Sequence, residues 1–538
     1  MSKNDLRIEV LGTELTISTD EEPEYLNKLL EKYREKIEHT QRVTGLKDPL
    51  KTAILTGFLL CDDMEKAGSA PANAGNEEPC EVERLTLGMI SRLGELIPDT
   101  PVSTEAETTV KTEAEAAADT SVETAAETVA ETAAEFTGKK PGIFKLQNQV
   151  KNYEWGSTEW IPVLLGKKNV SRIPWAELWL GVHPAGPSRV IQPEKDPANE
   201  NGPLLSEVAG TLPFMMKVLA AAKPLSIQVH PNREQAREGF DRENKAGLPS
   251  GSPKRNYSDP NPKSEIICAL SPFAALCGFR SPEEIRAIIG IIHAITRERA
   301  LREDLESLLF ALKQENPLRS FLSALYKLEK ETFISVAFFI KNEHYRIETE
   351  FYEYKNEWKL CTYLSKIFPG DSGIIAPLFL NLIELNPGEA IYIPSGTLHS
   401  YINGLGIELM SNSDNVLRGG LSSKHMDKDE LLRILKFSKY KPEIMKLPDP
   451  APSRFSYPAP AGDFVLSVIN GSDTPIAYRE TEPSIVIATE GSAALSADGF
   501  NAINSLSRGE SVFIPAGMSL EFSGFREPFT AYSAAAKA

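Results

Sequence analysis

Gly388-Glu-Ala-Ile-Tyr-Ile-Pro-Ser-Gly-Thr-Leu-His399 is answered later in the chain by Gly509-Glu-Ser-Val-Phe-Ile-Pro-Ala-Gly-Met-Ser-Leu520. Each copy reads as a glycine turn, an alternating apolar strand and a Pro-x-Gly turn. The histidine that ends the first copy is a leucine in the second. Two related β-barrels, one equipped with a polar side chain and one without, are the simplest account of this repeat. Working outward, residues 141–280 and 366–538 hold short β runs bounded by Gly, Pro, Asn and Asp. Between them Ile285, Ile288, Ile289 and Ile292, then Leu305, Leu308, Leu309 and Leu312, follow helical spacing. Pro282-Glu-Glu284 marks the start of this block, with proline at an early position and acids near the positive end of the dipole. A helical insertion therefore interrupts a mainly β architecture.

Composition excludes several classes of function. The chain has 538 residues, 41% apolar and 25% charged, the balance of an ordinary globular protein with several domains. A net charge of −17 is a poor match to nucleic acid or anionic membranes, which demand clustered cations. No run approaches the roughly 18 apolar residues of a membrane span. The opening residues show no secretory signal, so a cytoplasmic location is expected. The five cysteines (Cys61, Cys80, Cys268, Cys277, Cys361) are scattered and include no CxxC pair. A disulfide framework and a thiolate metal site are both disfavoured; a metal would need histidine, carboxylate or amide oxygen.

The first 140 residues have a different character. Leu6, Ile8 and Val10 alternate, Gly12-Thr13 turns, and Leu15 and Ile17 alternate again, predicting a hairpin. A helix follows with Leu26, Leu29, Leu30, Tyr33 and Ile37 on one side, and a more apolar one is expected over Leu50–Met64. Residues 101–140 hold nine acids against three lysines, recurring every four residues among Ala and Thr from Asp119 onward. Such spacing stacks like charges on a helix without an apolar stripe, so a solvated linker is expected, preceded by one short helix over Val82–Leu96.

Candidate chemistry begins at Gln228-Val-His230, where strand alternation puts both polar side chains on one face. Alone, the pair fits a surface strand end ahead of the turn Pro231-Asn232 better than a site. Glu408 sits between apolar residues in Gly406-Ile-Glu-Leu-Met410, either inside a barrel as a proton-transfer base or pointing outward. The spacing Gly388-x5-Pro394-x-Gly396-x2-His399-x3-Asn403 resembles the second motif of the cupin barrels, in which the histidine binds metal. Further stretches resemble the type I phosphomannose isomerases, zinc enzymes of that superfamily: Tyr153-Glu-Trp-Gly156, Pro224-Leu-Ser-Ile-Gln-Val-His-Pro231, Tyr257–Glu265, Leu276-Cys-Gly-Phe279 and Ser413–Leu421. The likeness runs from Ile143 to the end.

That resemblance implies one Zn²⁺ held by Gln228, His230, Glu265 and His399, with Arg418 as a catalytic arginine. It also implies Lys263 and Lys424 facing a sugar phosphate; Glu408, Lys263 and a metal-bound water are the candidates for proton transfer. Trp155, Ser226 and Tyr401 complete the pocket wall. Pro262 and Ser264 depart from the family's usual His and Pro before the ligand Glu. The implied reaction interconverts mannose 6-phosphate and fructose 6-phosphate through an enediolate. A non-catalytic sugar-binding regulator and a structural scaffold dominated by the N-terminal unit are the competing classes; loss of Arg418 or a ligand would have favoured the regulator, and neither is lost. Residues 1–68, with Tyr25-Leu-x3-Leu30, Thr44-Gly45 and Asp48-Pro-Leu-x2-Ala53, resemble the head of ZapA-type cell-division proteins. This implies self-association and a possible tubulin-like division-ring partner.

The expected architecture is therefore a small α+β domain (1–68), an acidic linker (69–140), and a catalytic jelly-roll barrel (141–280 and 366–450) interrupted by helices (281–365). A second, metal-free barrel (451–538) ends the chain.

Overall fold

The computed structural model describes residues 4–10, 13–19, 23–44, 142–191, 202–249, 251–343, 352–497 and 505–537, with Thr56, Leu60 and Arg346. The expected linker, the run Val82–Leu96 and nearly all of Leu50–Met64 lie outside the described residues. The chain divides into two units, Met1–Ala116 and Ala117–Ala538.

In the first unit, β1 (Asn4–Val10) and β2 (Thr13–Thr19) form the hairpin, with Leu6 opposite Ile17 and Ile8 opposite Leu15. The helix Pro23–Thr44 follows, with Ile37 buried and Leu30 and Tyr33 half-buried on the same side.

The second unit opens with β3 (Phe144–Gln147), β4 (Gln149–Lys151), β5 (Glu177–Leu180) and β6 (Arg189–Val190). Next come β7 (Phe214–Ala221), β8 (Ile227–Val229), β9 (Glu265–Ala269) and β10 (Phe273–Phe279). After a helical block the strands resume as β11 (Leu380–Leu385), β12 (Ala390–Ile393), β13 (His399–Ser411) and β14 (Leu417–Gly420). The final group is β15 (Arg454–Ser456), β16 (Phe464–Gly471), β17 (Ile476–Arg479), β18 (Ser484–Ser496), β19 (Leu506–Ser507), β20 (Ser511–Ile514) and β21 (Ser519–Ala536).

These strands build a 10-stranded sheet along β11-β10-β13-β7-β5-β4 and a 9-stranded sheet along β15-β16-β21-β18-β20-β3-β6, each with side branches. Neither closes into a barrel, which corrects the expected pair of cupin jelly rolls. The fold is a mixed α and β one, with several sheets and a large helical share. Alternation in a sequence encodes which face of a strand is buried. Closure instead depends on the tilt and stagger of every strand together, and here β4 and β11 remain separate edges.

The repeat is nonetheless visible in the backbone. Gly388 and Gly509 share a left-handed φ of +83°, and each introduces an equivalent short strand, β12 or β20. A side chain at Gly509 would strike the Leu164 carbonyl at 2.5 Å, so glycine is required there for close approach as well.

The helical block comprises Pro282–Ile295, Arg299–Ala311, Pro317–Leu325, Lys330–Asn342 and Lys355–Ile367. Its first helix starts at a reciprocal cap, in which Ser281 accepts from the Glu284 amide and Glu284 accepts from the Ser281 amide. Ile285, Ile288, Ile289 and Ile292 enter a core shared with Ile227, Val229, Leu398, Leu417 and Leu421. The helices therefore back the strands whose other faces carry the polar residues described next. Among the described residues, no helix is long and apolar enough to cross a membrane.

Candidate metal centre and active site

Ile227 and Val229 point into the helical core, so Gln228 between them points the opposite way. Directly across the ladder, Gln228 pairs with His399 on β13 and Arg418 on β14. Opposed residues on neighbouring strands share a face, so the three form one polar row. His230 follows β8, and Glu265 is the first residue of β9.

His230, Glu265 and His399 are buried and offer ligand atoms within 4.8 Å of one another. His230 Nε2 lies 3.2 Å from Glu265 Oε1, and His399 Nε2 lies 3.3 Å from Glu265 Oε2. Backbone carbonyls orient both rings. His230 Nδ1 is 2.8 Å from the Asn415 oxygen, and His399 Nδ1 is 2.9 Å from the Thr397 oxygen. A carbonyl only accepts, so each ring carries a proton on Nδ1 and directs its Nε2 at the carboxylate. His230 Nε2 has no hydrogen-bond partner despite its burial. Two imidazole nitrogens and a carboxylate thus converge in one buried place, an arrangement that suits a cation.

Charge at the centre follows from the same contacts. Burial and the Lys263 cation push His230 down to about 4. Burial alone would raise Glu265, yet Lys263 and the His230 and His399 contacts outweigh it and hold the carboxyl well below its usual range. Lys263 Nζ is 3.0 Å from Glu265 Oε1. Gln228 donates its amide N–H to Ser226 at 3.1 Å, which leaves its oxygen available as a fourth donor.

A second buried cluster lies in the wall of the same cavity. Lys217 on β7 sits 3.4 Å from Glu177 and 3.2 Å from Glu408, all three side chains less than 10% exposed. Trp179 donates to Glu177 at 2.6 Å, and Lys217 lies over the Trp179 ring. Burial opposes the Lys217 charge, but the two carboxylates prevail and keep it protonated far above its ordinary range. Glu408 moves the other way: burial and Glu265 raise it against the pull of Lys217.

The cavity gathers Gln228, Glu265, His399, Lys263, Glu408, Ser226 and Tyr401 from the residues singled out in the sequence. Tyr401 reaches Glu265 at 3.5 Å. His230 does not line the cavity but is within ligand distance of Glu265 and His399. Arg418, Lys424 and Trp155 stand outside it: Trp155 packs on the apolar cluster around Tyr401, and Lys424 is exposed. Burial lowers Arg418, and burial together with the Arg418 cation lowers Lys424. Sequence reading passed over Lys217 and Glu177. Their one signal was a charge set in a fully buried strand, as in Phe214-Met-Met-Lys-Val218.

Comparisons with known proteins agree with this geometry. The family model "Phosphomannose isomerase type I, catalytic domain" matches residues 143–282. Mannose-6-phosphate isomerase of Escherichia coli is 36% identical over 391 residues, which cover 69% of this chain and 94% of that protein. This chain belongs to the mannose-6-phosphate isomerase family. The Bos taurus enzyme is 30% identical over 419 residues, 70% of this chain and 94% of its own. A crystal structure of phosphomannose isomerase from Salmonella typhimurium superposes with a TM-score of 0.63 at 32% identity, covering 74% of this chain and all of that one. A zinc-bound mannose 6-phosphate isomerase structure gives a TM-score of 0.62 at 32% identity, with the same coverage. Outside this family region, the model "Cell division protein ZapA" matches residues 6–97.

Proposed function

We propose that this chain interconverts mannose 6-phosphate and fructose 6-phosphate, with one zinc ion held by Gln228, His230, Glu265 and His399. The observation that carries the reading is the buried convergence of two imidazole nitrogens on one carboxylate, with His230 Nε2 left unpartnered. Two nitrogens, a carboxylate and an amide oxygen, without thiolate, suit Zn²⁺. When bound, the metal supplies Lewis-acid polarisation of sugar oxygens.

The remaining groups perform the proton chemistry. Aldose–ketose exchange removes a proton from C2 and returns it to C1, while a hydroxyl proton moves from O2 to O1. Glu408 is assigned as the base: its raised proton affinity brings it nearer the working pH. Lys217 keeps it in place and supplies a nearby cation as charge develops on the enediolate. Lys263 provides a second buried ammonium beside Glu265 and is the other candidate for the proton transfer. Arg418, next to Gln228 in the polar row, offers planar donors to the oxyanion. Lys424 extends this positive edge toward the phosphate, and Ser226, Tyr401 and Trp155 shape the wall.

Metal analysis of the purified protein, paired with a coupled assay on mannose 6-phosphate, tests the proposal. One zinc per chain and turnover are expected. A metal-free protein that leaves the sugar phosphate unchanged refutes it.

Residues 1–68 are assigned a separate role, self-association, with a tubulin-like division-ring protein as the partner class. The match at 6–97 supports this, as does the general difficulty a unit of this length has in building a core alone. The buried free thiols Cys268, Cys277 and Cys361 suit a cytoplasmic setting.

A further inference from the structure

We propose that Asn415, a side chain outside the ligand set, is the positioning residue that holds His230 and Glu265 at metal-binding separation. The inference rests on the metal reading above and concerns how the chain builds that site.

Asn415 is fully buried in the turn between β13 and β14. Its backbone oxygen takes the His230 Nδ1 proton at 2.8 Å. His399 obtains the same support from Thr397, two residues away, whereas His230 depends on a turn 185 positions distant in the chain. That turn is held by the Asn415 side chain. Its Oδ1 accepts from the backbone N–H groups of Ser258 and Asp259 at 2.7 and 3.2 Å. Its Nδ2 donates to the carbonyls of Asp259 and Asn261 at 2.7 and 2.9 Å. Both lone pairs and both protons of the amide are therefore used.

The loop gripped in this way runs directly into Lys263 and Glu265. One amide thus ties the segment leading to the carboxylate ligand to the turn whose carbonyl orients the imidazole ligand. The grip is reinforced from the other side, where Asp259 accepts from the Ser413 hydroxyl and the Asp414 amide. An aspartate at position 415 would keep the two acceptor contacts. It would lose both donations and set a carboxylate against the carbonyls of Asp259 and Asn261. An alanine would lose every one of these bonds, together with the 3.4 Å contact from Nδ2 to Asp259 Oδ1.

Loss of a group bonded directly to a ligand typically changes metal affinity by about 10–100-fold, and the Asn415 side chain acts through such a group, its own carbonyl. Full-length wild type, Asn415→Ala and Asn415→Asp are compared by competition for Zn²⁺ with a chelator of known affinity. Visible spectra of the Co²⁺-loaded proteins and melting of the metal-free forms complete the set. Zinc affinity about 10–100-fold weaker, together with an altered Co²⁺ spectrum, is expected in each variant that folds. Wild-type affinity and spectrum in a variant whose metal-free melting temperature has dropped would make Asn415 purely structural and overturn the inference. A wild-type protein that binds no zinc would instead overturn the metal reading itself. If neither variant folds, Asn415→Ser, which retains a short polar side chain, is measured in the same way and judged by the same two outcomes.

Discussion

Replacing Lys217 with methionine removes the one cation between two buried carboxylates and keeps the apolar stem. At 3.2 and 3.4 Å, with an effective dielectric of about 20, each contact is worth roughly 5 kcal/mol of gross attraction. Desolvation of the three charges offsets most of that. The net cost of leaving a buried charge without its partner is about 3–5 kcal/mol. The loss depends on pH, and the sign follows from Glu408. Its folded-state proton affinity is already raised by burial and Glu265, with Lys217 the largest influence in the opposite direction. Without Lys217 the affinity rises further above the unfolded value. A group raised in this way favours the folded state at low pH, and that contribution is lost as pH climbs through the folded pKa. Lys217→Met is therefore expected to lose little stability near pH 5 and about 3–5 kcal/mol near pH 8. Urea denaturation of wild type and variant at both values measures it, and adding Glu408→Gln should recover part of the loss at pH 8. An equal loss at both pH values, or no recovery in the double variant, refutes the coupled-charge account.

Other outcomes follow from the same geometry. His399→Ala should abolish activity and zinc binding while far-ultraviolet circular dichroism stays native; full activity at normal zinc content would contradict the ligand assignment. Arg418→Lys keeps the charge but loses the planar fork, so kcat should fall by at least tenfold with KM little changed; a change confined to KM would place Arg418 in uniform binding. Residues 141–538 alone should fold and remain active, because the Escherichia coli enzyme is matched over 94% of its own length by 69% of this chain. Light scattering should show fewer chains per particle for that truncated protein than for the full chain, and equal values would remove the case for association through residues 1–68.

What the sequence made legible follows its periodicities. The hairpin of β1 and β2, the first helix and the capped start at Ser281 are local patterns, and each has a local cause. His399 could be singled out because the turn and strand spacing ahead of it recurs at Leu520. Sheet closure was misread because it is a property of many strands, whereas alternation describes one at a time. Lys217 and Glu177 were passed over for a related reason. A charge within Phe214-Met-Met-Lys-Val218 can be judged only against its partners, and those stand on other strands, 40 residues away in one case. Asn415 escaped notice because Ser-Asp-Asn reads as ordinary turn chemistry. Its importance lies in the bonds its amide makes to a loop more than 150 residues earlier.

The two copies of the repeat show how one backbone plan serves opposite ends. In the second copy Leu520 faces Tyr478 across the ladder and enters an apolar cluster with Phe522 and Phe529. That interior is stable on its own terms, since it holds little that must be desolvated. In the first copy the corresponding interior contains His399, His230, Glu265, Lys217, Glu177 and Glu408, every one buried. Charges in such a place weaken a sheet unless each is paired, and replacing them with apolar groups would often be neutral or stabilising. Apolar burial therefore has to be supplied from outside this interior. The helical block does so: its isoleucines and leucines pack against Ile227, Val229, Leu398 and Leu417, the backs of the strands that present Gln228, His399 and Arg418. It also grips β14 directly, through the Tyr326 hydroxyl on the Gly419 carbonyl at 2.9 Å. Asp371, just after the block, accepts from the Leu421 amide at 2.8 Å, where the backbone takes a left-handed φ of +53°. The insertion is thus the apolar counterpart that lets the adjoining sheet carry a charged interior and still hold it in one geometry.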